Sequence, residues 1–152
     1  MRELRLEARN ENLDRVLGFL EEDLEPLNCP RRVSVQLHIS AEEIFVNICN
    51  YAYKDSVGMA LIRSEVIPAT ETEPPELVLT FIDQGVPFNP LEREDPDVTL
   101  SGMERKIGGL GIYMVKKRMD QVTYEYRDGS NMLTIHKRIA PAGDQQGENG
   151  SC

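Results

Sequence analysis

Three short segments of the chain combine residue types that can do chemistry together. In Glu43-Ile44-Phe45-Val46-Asn47 a carboxylate and an amide stand four positions apart, and on a helix that spacing puts both on one face. The amide oxygen of Asn47 is a hard, neutral donor suited to Mg²⁺, an ion that takes few protein ligands and keeps phosphate oxygens and water. The carboxylate of Glu43 can accept a proton from an attacking hydroxyl or water. Asp83-Gln84-Gly85-Val86-Pro87-Phe88 follows a run of strand formers. A carboxylate at that strand end can accept a hydrogen bond from the exocyclic amine of adenine, and Gly85, lacking a Cβ, lets backbone approach a flat ring. Gly108-Gly109-Leu110-Gly111 runs into the apolar stretch Ile112-Tyr113-Met114-Val115. Backbone N–H groups at a helix N-terminus favour phosphate, and glycines let it come close. Arg105 and Lys106 precede the turn and can neutralise phosphate charge or remain solvated loop charges. Singly, each segment also suits an ordinary solvated helix face, an Asx turn or a loop hinge. In this order they can build one ATP site.

Periodicity gives the elements that must position these residues. Residues 3–8 alternate apolar and polar and read as a strand. Asn10 suits the N-cap of a helix through about Leu24, with Leu13, Val16, Leu17 and Leu20 on one face. Pro26 and Pro30 bracket a loop. A longer helix is predicted from about Arg31 to Tyr53, with Val33, Leu37, Ile44 and Ile48 as its buried stripe. Gln36, Glu43, Asn47 and Asn50 fall on the neighbouring stripe, where the chemistry is expected. Strands are predicted over Gly58 to Ile67 and Leu77 to Ile82, separated by a polar turn over Ala69 to Pro75. From Asn89 to Ile107 no stable pattern emerges. A long stretch of that kind inside a compact domain is usually functional or mobile. A helix follows from about Leu110 to Met119, then a hairpin of Gln121 to Arg127 and Met132 to Ile139 around Asp128-Gly129-Ser130-Asn131. The order β-α-α-β-β-loop-α-β-β predicts an α+β fold, a two-layer α/β sandwich with a mostly antiparallel mixed sheet and three helices on one face. Residues 1–140 form one domain in this reading, and 141–152, rich in Gly, Gln, Glu and Ser, a disordered tail.

The bulk composition narrows the setting. At 152 residues, a single domain can bury roughly 68–70% of its unfolded surface without disulfide or metal staples. The 26 acidic residues outnumber 17 basic ones, for a net charge of −9, which argues against direct nucleic-acid binding through phosphate neutralisation. Cys29, Cys49 and Cys152 are odd in number and widely spaced, so they suggest neither a disulfide framework nor a zinc site. The N-terminus is charged and alternating rather than a signal peptide. No apolar run approaches the roughly 20 residues of a membrane span. A reduced cytoplasm is the expected location. The glycine turn is not followed by Gly-Lys-Ser/Thr, so it is no P-loop, and it lacks the third glycine and βαβ setting of a dinucleotide fingerprint.

Taken together, the three segments resemble the nucleotide boxes of the Bergerat-fold ATPases, a superfamily with histidine-kinase catalytic domains, gyrase-type ATPases and anti-sigma-factor serine kinases. Asn50-Tyr51-Ala52-Tyr53-Lys54 and the run from Glu104 to Asp120 look like the anti-sigma kinases in particular. The likeness spans roughly residues 2–140. It implies that Glu43 is a general base acting on a protein serine, that Asn47 holds Mg²⁺, and that Asp83 reads the adenine with Gly85 beside the ring. It also implies that Gly109 and Gly111 shape a lid and bind phosphate, and that Thr134 on the last strand supports the adenine pocket. Where the family often has His four residues after the metal-binding Asn, this chain has Tyr51. No dimerisation helix pair or phosphoacceptor histidine box is visible, and His38 and His136 read as structural or surface residues. The implied cofactors are ATP/ADP and Mg²⁺. The implied partners are a sigma factor and a small anti-anti-sigma antagonist, with the kinase itself a homodimer. The alternative is a nucleotide-binding interaction module without phosphotransfer.

Overall fold

The computed structural model describes residues 1–53, 56–92 and 109–140. Residues 54–55, 93–108 and 141–152, among them Lys54, Arg105, Lys106 and Gly108, lie outside the described residues. Strand β1 (Arg2–Glu7) leads through a 3₁₀ turn (Asn10–Asn12) into helix α1 (Leu13–Leu24). Helix α2 (Arg31–Asn47) continues as a π-helical turn (Ile48–Ala52). Strands β2 (Met59–Ile67) and β3 (Glu76–Asp83) follow, then a 3₁₀ turn (Pro90–Glu92), helix α3 (Gly109–Arg118), and strands β4 (Gln121–Arg127) and β5 (Ser130–Arg138).

The strands form one sheet in the order β1-β2-β3-β5-β4. The antiparallel character expected of most of the sheet extends to every pairing among the described residues. The reason is the connections. β2 to β3 and β4 to β5 are hairpins, and the long connection through α3 sets β4 at the sheet edge, so that β5 returns against β3. The β4–β5 turn is tighter than the four residues expected: Arg127 pairs with Ser130, and Asp128 and Gly129 both adopt positive φ, 52° and 81°. Two such residues make the type I′ turn whose twist matches the strands it joins.

Alternation decides which side chains meet the helices. Ile62 faces Phe81 across β2–β3, and Phe81 faces Leu133 across β3–β5. Leu6, Ala60, Ile62, Leu77, Leu79, Phe81, Leu133 and Ile135 are all buried, in one cluster with Val16, Leu20 and Leu24 of α1, Val33, Leu37, Ile44 and Phe45 of α2, and Val115 of α3. The three helices therefore cover one face of the sheet, as expected. Burying side chains of this size is worth about 1.5–3 kcal/mol each, so this cluster dominates the stability of the fold. Where the core meets Arg2, polar groups close it: Ser64 Oγ donates to Asp23 Oδ2, and Asp23 Oδ1 lies 2.8 Å from the Arg2 guanidinium. Two helix boundaries differ from expectation. Asn10 makes no cap hydrogen bond and α1 begins at Leu13, while α2 ends at Asn47 because the last residues widen into the π turn.

Candidate functional site

A cavity opens between the two layers, where α2, β3, β5 and α3 converge. Its floor is apolar, with Ile44 and Ile48 on the helix side and Phe81 and Leu133 on the sheet side. Asn47, Asp83 and Asn131 supply polar groups, and Tyr124 and Ile112 complete the wall. At the mouth, Tyr51, Val86 and Phe88 are left 54%, 44% and 46% exposed. Large apolar side chains held half-open around a cavity are the usual setting for a flat apolar ligand group.

Asp83 stands at the inner end of β3, only 7% exposed. Its Oδ1 accepts two hydrogen bonds, from the Gly85 N–H at 2.9 Å and from Asn131 Nδ2 at 2.9 Å. Its Oδ2 has no hydrogen-bond partner among the described residues, so a carboxylate oxygen remains to be satisfied by whatever enters the cavity. Asn131, directly across the β3–β5 ladder from Asp83, is a hub. Its Nδ2 also donates to the Val86 carbonyl at 2.9 Å. Its Oδ1 accepts from the Phe88 N–H at 3.1 Å and from the Tyr124 hydroxyl. Burial, foremost, pushes the Tyr124 phenol above its ordinary value, so it stays protonated and remains a donor.

At the other end stand the acid and the amide of α2. Asn47 lines the cavity, and its side chain has no hydrogen-bond partner among the described residues. Glu43 lies one turn earlier, half-buried under the first turn of α3. A Cβ added at Gly111 would stand 1.9 Å from Glu43 Oε2, so a side chain there would push this carboxyl out of its place under α3. Burial, and then the neighbouring Glu42, raise the Glu43 carboxyl above the usual carboxylate range. A partly desolvated carboxyl of this kind is a better proton acceptor near neutral pH than a solvated one.

The structure thus brings Asn47 and Asp83 to one cavity, with Glu43 and Gly111 in contact beside it. Gly109 and Leu110 are the first two residues of α3. Asn50 is not brought to the cavity. It is exposed, and its Oδ1 accepts from Asn10 Nδ2 at 3.4 Å. The π turn is wider than an α turn, so it carries the i+3 position off the face of Asn47 and leaves Tyr51, at i+4, on it. Gly85 has a different neighbour from the one expected: a Cβ there would meet the Ala52 carbonyl oxygen at 2.1 Å, and the next residue, Val86, donates its N–H to that same carbonyl at 3.1 Å. The glycine lets the strand-end turn pack on the π turn. Thr134 points to the opposite face of the sheet, where its Oγ1 lies 3.1 Å from that of Thr80, and this corrects its assignment to the pocket. Asn131 of β5 and Tyr124 of β4 line the cavity instead. Strand parity was the available signal: counting back in twos from Ile135 and Leu133 reaches Asn131, a polar residue at an inward position.

Tyr53 fixes the segment that carries these groups. Its hydroxyl donates to the Met59 carbonyl at 2.6 Å and accepts from the Gln84 N–H at 2.8 Å, tying the end of the π turn to the start of β2 and the end of β3. Among the described residues no helix is long and apolar enough to cross a membrane.

The family model for the histidine kinase-like ATPase domain matches residues 6–137. The chain is 26% identical over 110 residues to the serine/threonine-protein kinase BtrW of Bordetella bronchiseptica, covering 72% of this chain and 74% of that protein. The catalytic domain of histidine kinase ThkA, solved in a nucleotide-free form, aligns over 93% of this chain and 99% of its own with a TM-score of 0.45 and 12% identity.

Proposed function

Because the chain belongs to the histidine kinase-like ATPase domain family, we propose that its cavity binds ATP with Mg²⁺ and that the protein transfers the γ-phosphoryl group to a serine or threonine of a protein substrate. The observation that carries this reading is the convergence of three distant segments: Asn47 and Asp83 line one cavity, and Gly111 packs on Glu43 at its side. Asp83 Oδ2 accepts the exocyclic amine of adenine, while Phe81, Ile48 and Leu133 hold the ring. Glu43 accepts the proton of the attacking hydroxyl, and the phosphates lie toward Gly109 and Gly111, with Arg105 and Lys106 nearby in sequence. Among the described residues no group of three or more His, Cys, Asp or Glu could hold a metal ion. Mg²⁺ needs no such group, since it binds through one or two protein ligands plus phosphate oxygens and water. The unspent side chain of Asn47 fits that requirement. A bound Mg²⁺ would neutralise charge on the phosphates, and catalysis otherwise rests on positioning and electrostatics.

The finer reading is an anti-sigma-type kinase. The substrate is a small antagonist protein, a sigma factor is sequestered by the same chain, and the kinase works as a homodimer in the cytoplasm. Similarity to a protein named as a serine/threonine kinase supports its kinase part. A phosphate on the antagonist would weaken its binding by adding charge at the interface. A second reading, nucleotide binding without transfer, draws on one observation: the Glu43 carboxyl is packed against the first turn of α3 rather than lining the cavity. Labelled-phosphate transfer separates the two. Wild type and Glu43→Gln are first shown to bind ATP and Mg²⁺, then incubated with γ-labelled ATP in an extract of the source organism. A small protein labelled by wild type alone supports the kinase. ATP binding with no labelled protein, although the partner is present, favours the binding module.

A further inference from the structure

We propose that Asn131 is the positioning residue that aims Asp83 and thereby sets the preference of the site for a 6-aminopurine over a 6-oxopurine. The inference rests on the nucleotide reading of the cavity. A carboxylate is a symmetric acceptor on a rotatable bond, so it discriminates a donor from an acceptor only if one oxygen is held toward the ligand. Here Oδ1 of Asp83 is held by two donors, Asn131 Nδ2 and the Gly85 N–H, each at 2.9 Å, and Oδ2 is left without a partner among the described residues. Both restraints depend on the same amide. Asn131 Nδ2 also grips the Val86 carbonyl and its Oδ1 takes the Phe88 N–H, which fixes the turn that presents the Gly85 N–H. The Tyr124 hydroxyl, donating to Oδ1, leaves Nδ2 as the group that faces Asp83. Asn131 is 6% exposed, so solvent does not compete for these bonds.

The chemistry follows from donor and acceptor sense. The 6-amino group of adenine donates to a fixed Oδ2. The 6-oxo group of hypoxanthine would set a carbonyl oxygen against it, an unpaired clash of acceptors in a buried site. If the carboxylate is freed to turn toward solvent, the clash relaxes and the discrimination goes with it. Asn131→Leu keeps the branched shape of the side chain at a larger volume and removes every hydrogen bond. Asn131→Asp, nearly isosteric, replaces the two amide donors by a carboxyl that shares at most one proton with Asp83, so it cannot hold both Asp83 Oδ1 and the Val86 carbonyl.

The test is calorimetric titration of ADP and of IDP, each with Mg²⁺, into wild type, Asn131→Leu and Asn131→Asp at neutral pH, with circular dichroism to confirm folding. Wild type is expected to prefer ADP by about 100-fold or more, as a site built to hydrogen-bond one group does. Both variants should narrow that ratio at least about tenfold, through weaker ADP binding and unchanged or tighter IDP binding. A role confined to stability would lower both affinities together and keep the ratio. An unchanged ratio in a folded variant, or a parallel loss of both nucleotides, overturns the inference; should Asn131→Leu not fold, the near-isosteric Asn131→Asp decides. If wild type binds neither nucleotide, the nucleotide reading of the cavity fails and this inference with it.

Discussion

Glu43 makes two opposite demands on pH, and both can be measured. Its carboxyl is held above the usual range by burial first and by Glu42 second. As a base it must be ionised, so phosphoryl transfer should rise with pH through this raised pKa, and the acidic limb of the rate profile should lie above that of an ordinary glutamate at about 4.3. Stability runs the other way. A folded pKa above the unfolded one means the folded state holds the proton more tightly, so the contribution of Glu43 favours folding below its unfolded pKa and is lost as pH rises through its folded pKa. Glu43→Gln, neutral at every pH, should therefore melt above wild type at pH near 8, and the gap should close toward about pH 4. The same variant should lose transfer by about 10²–10⁴-fold, the usual worth of a general base, with ADP affinity unchanged. A variant that keeps full transfer would remove Glu43 from the chemistry. Gly85→Ala tests a different residue-scale claim. Its Cβ would stand 2.1 Å from a backbone oxygen that cannot move alone, so urea unfolding should report a loss of about 1–3 kcal/mol.

At the scale of elements, the parts of the molecule governed by local pattern are legible in the chain and the parts governed by pairing are not. Val33, Leu37, Ile44 and Ile48 read as the buried stripe of one helix, and all four are buried, because burial on a helix follows a period that the chain itself displays. The glutamate, the asparagine and the strand-end aspartate announce themselves by residue type. What the chain does not display is where a helix widens or which strand lies beside which. A π turn has no strong composition of its own, so an unbroken helical period puts Asn50 on the wrong face. Thr134 sits one step off parity, and a strand position one step off faces the other side of the sheet; the register that sets Asn131 opposite Asp83 is a long-range fact. Tyr53 is the element-scale latch. Its hydroxyl joins β2 to the end of β3, and its ring occupies the space left open at Gly58, where a Cβ would come within 2.2 Å of it. Tyr53→Phe keeps the ring and deletes both bonds. Both bonds lie where water can replace them, so equilibrium urea unfolding should show a loss of about 0.5–1.5 kcal/mol, the net worth of an ordinary hydrogen bond. ADP affinity should fall as well, since the lost bonds hold Gln84, next to Asp83.

For the whole molecule, the cavity lies where elements distant in the chain meet, so a ligand there should act on the stability of the entire fold. Its lining comes from α2, the π turn, β3, β4, β5 and α3, and the core cluster runs through the same elements. Unfolding disperses the lining and abolishes the site, so a nucleotide binds the folded state alone and stabilises it by mass action. At a free concentration of 100 times its Kd, ADP with Mg²⁺ should add about 2.7 kcal/mol. For a domain of this size each kcal/mol moves Tm by about 2–4 °C, so the melting transition should rise by about 5–10 °C as one cooperative step. Asp83→Asn places an amide where a carboxylate faces the 6-amino group; it should raise the ADP Kd strongly and, at the same ADP concentration, lose most of the shift. Scanning calorimetry on both proteins reads the two quantities together. Tight calorimetric binding without the matching rise in Tm would mean that ADP also binds the unfolded chain. A rise confined to a small separate transition would mean that α3 and its neighbours unfold apart from the sheet, and that the nucleotide holds a local element rather than the molecule.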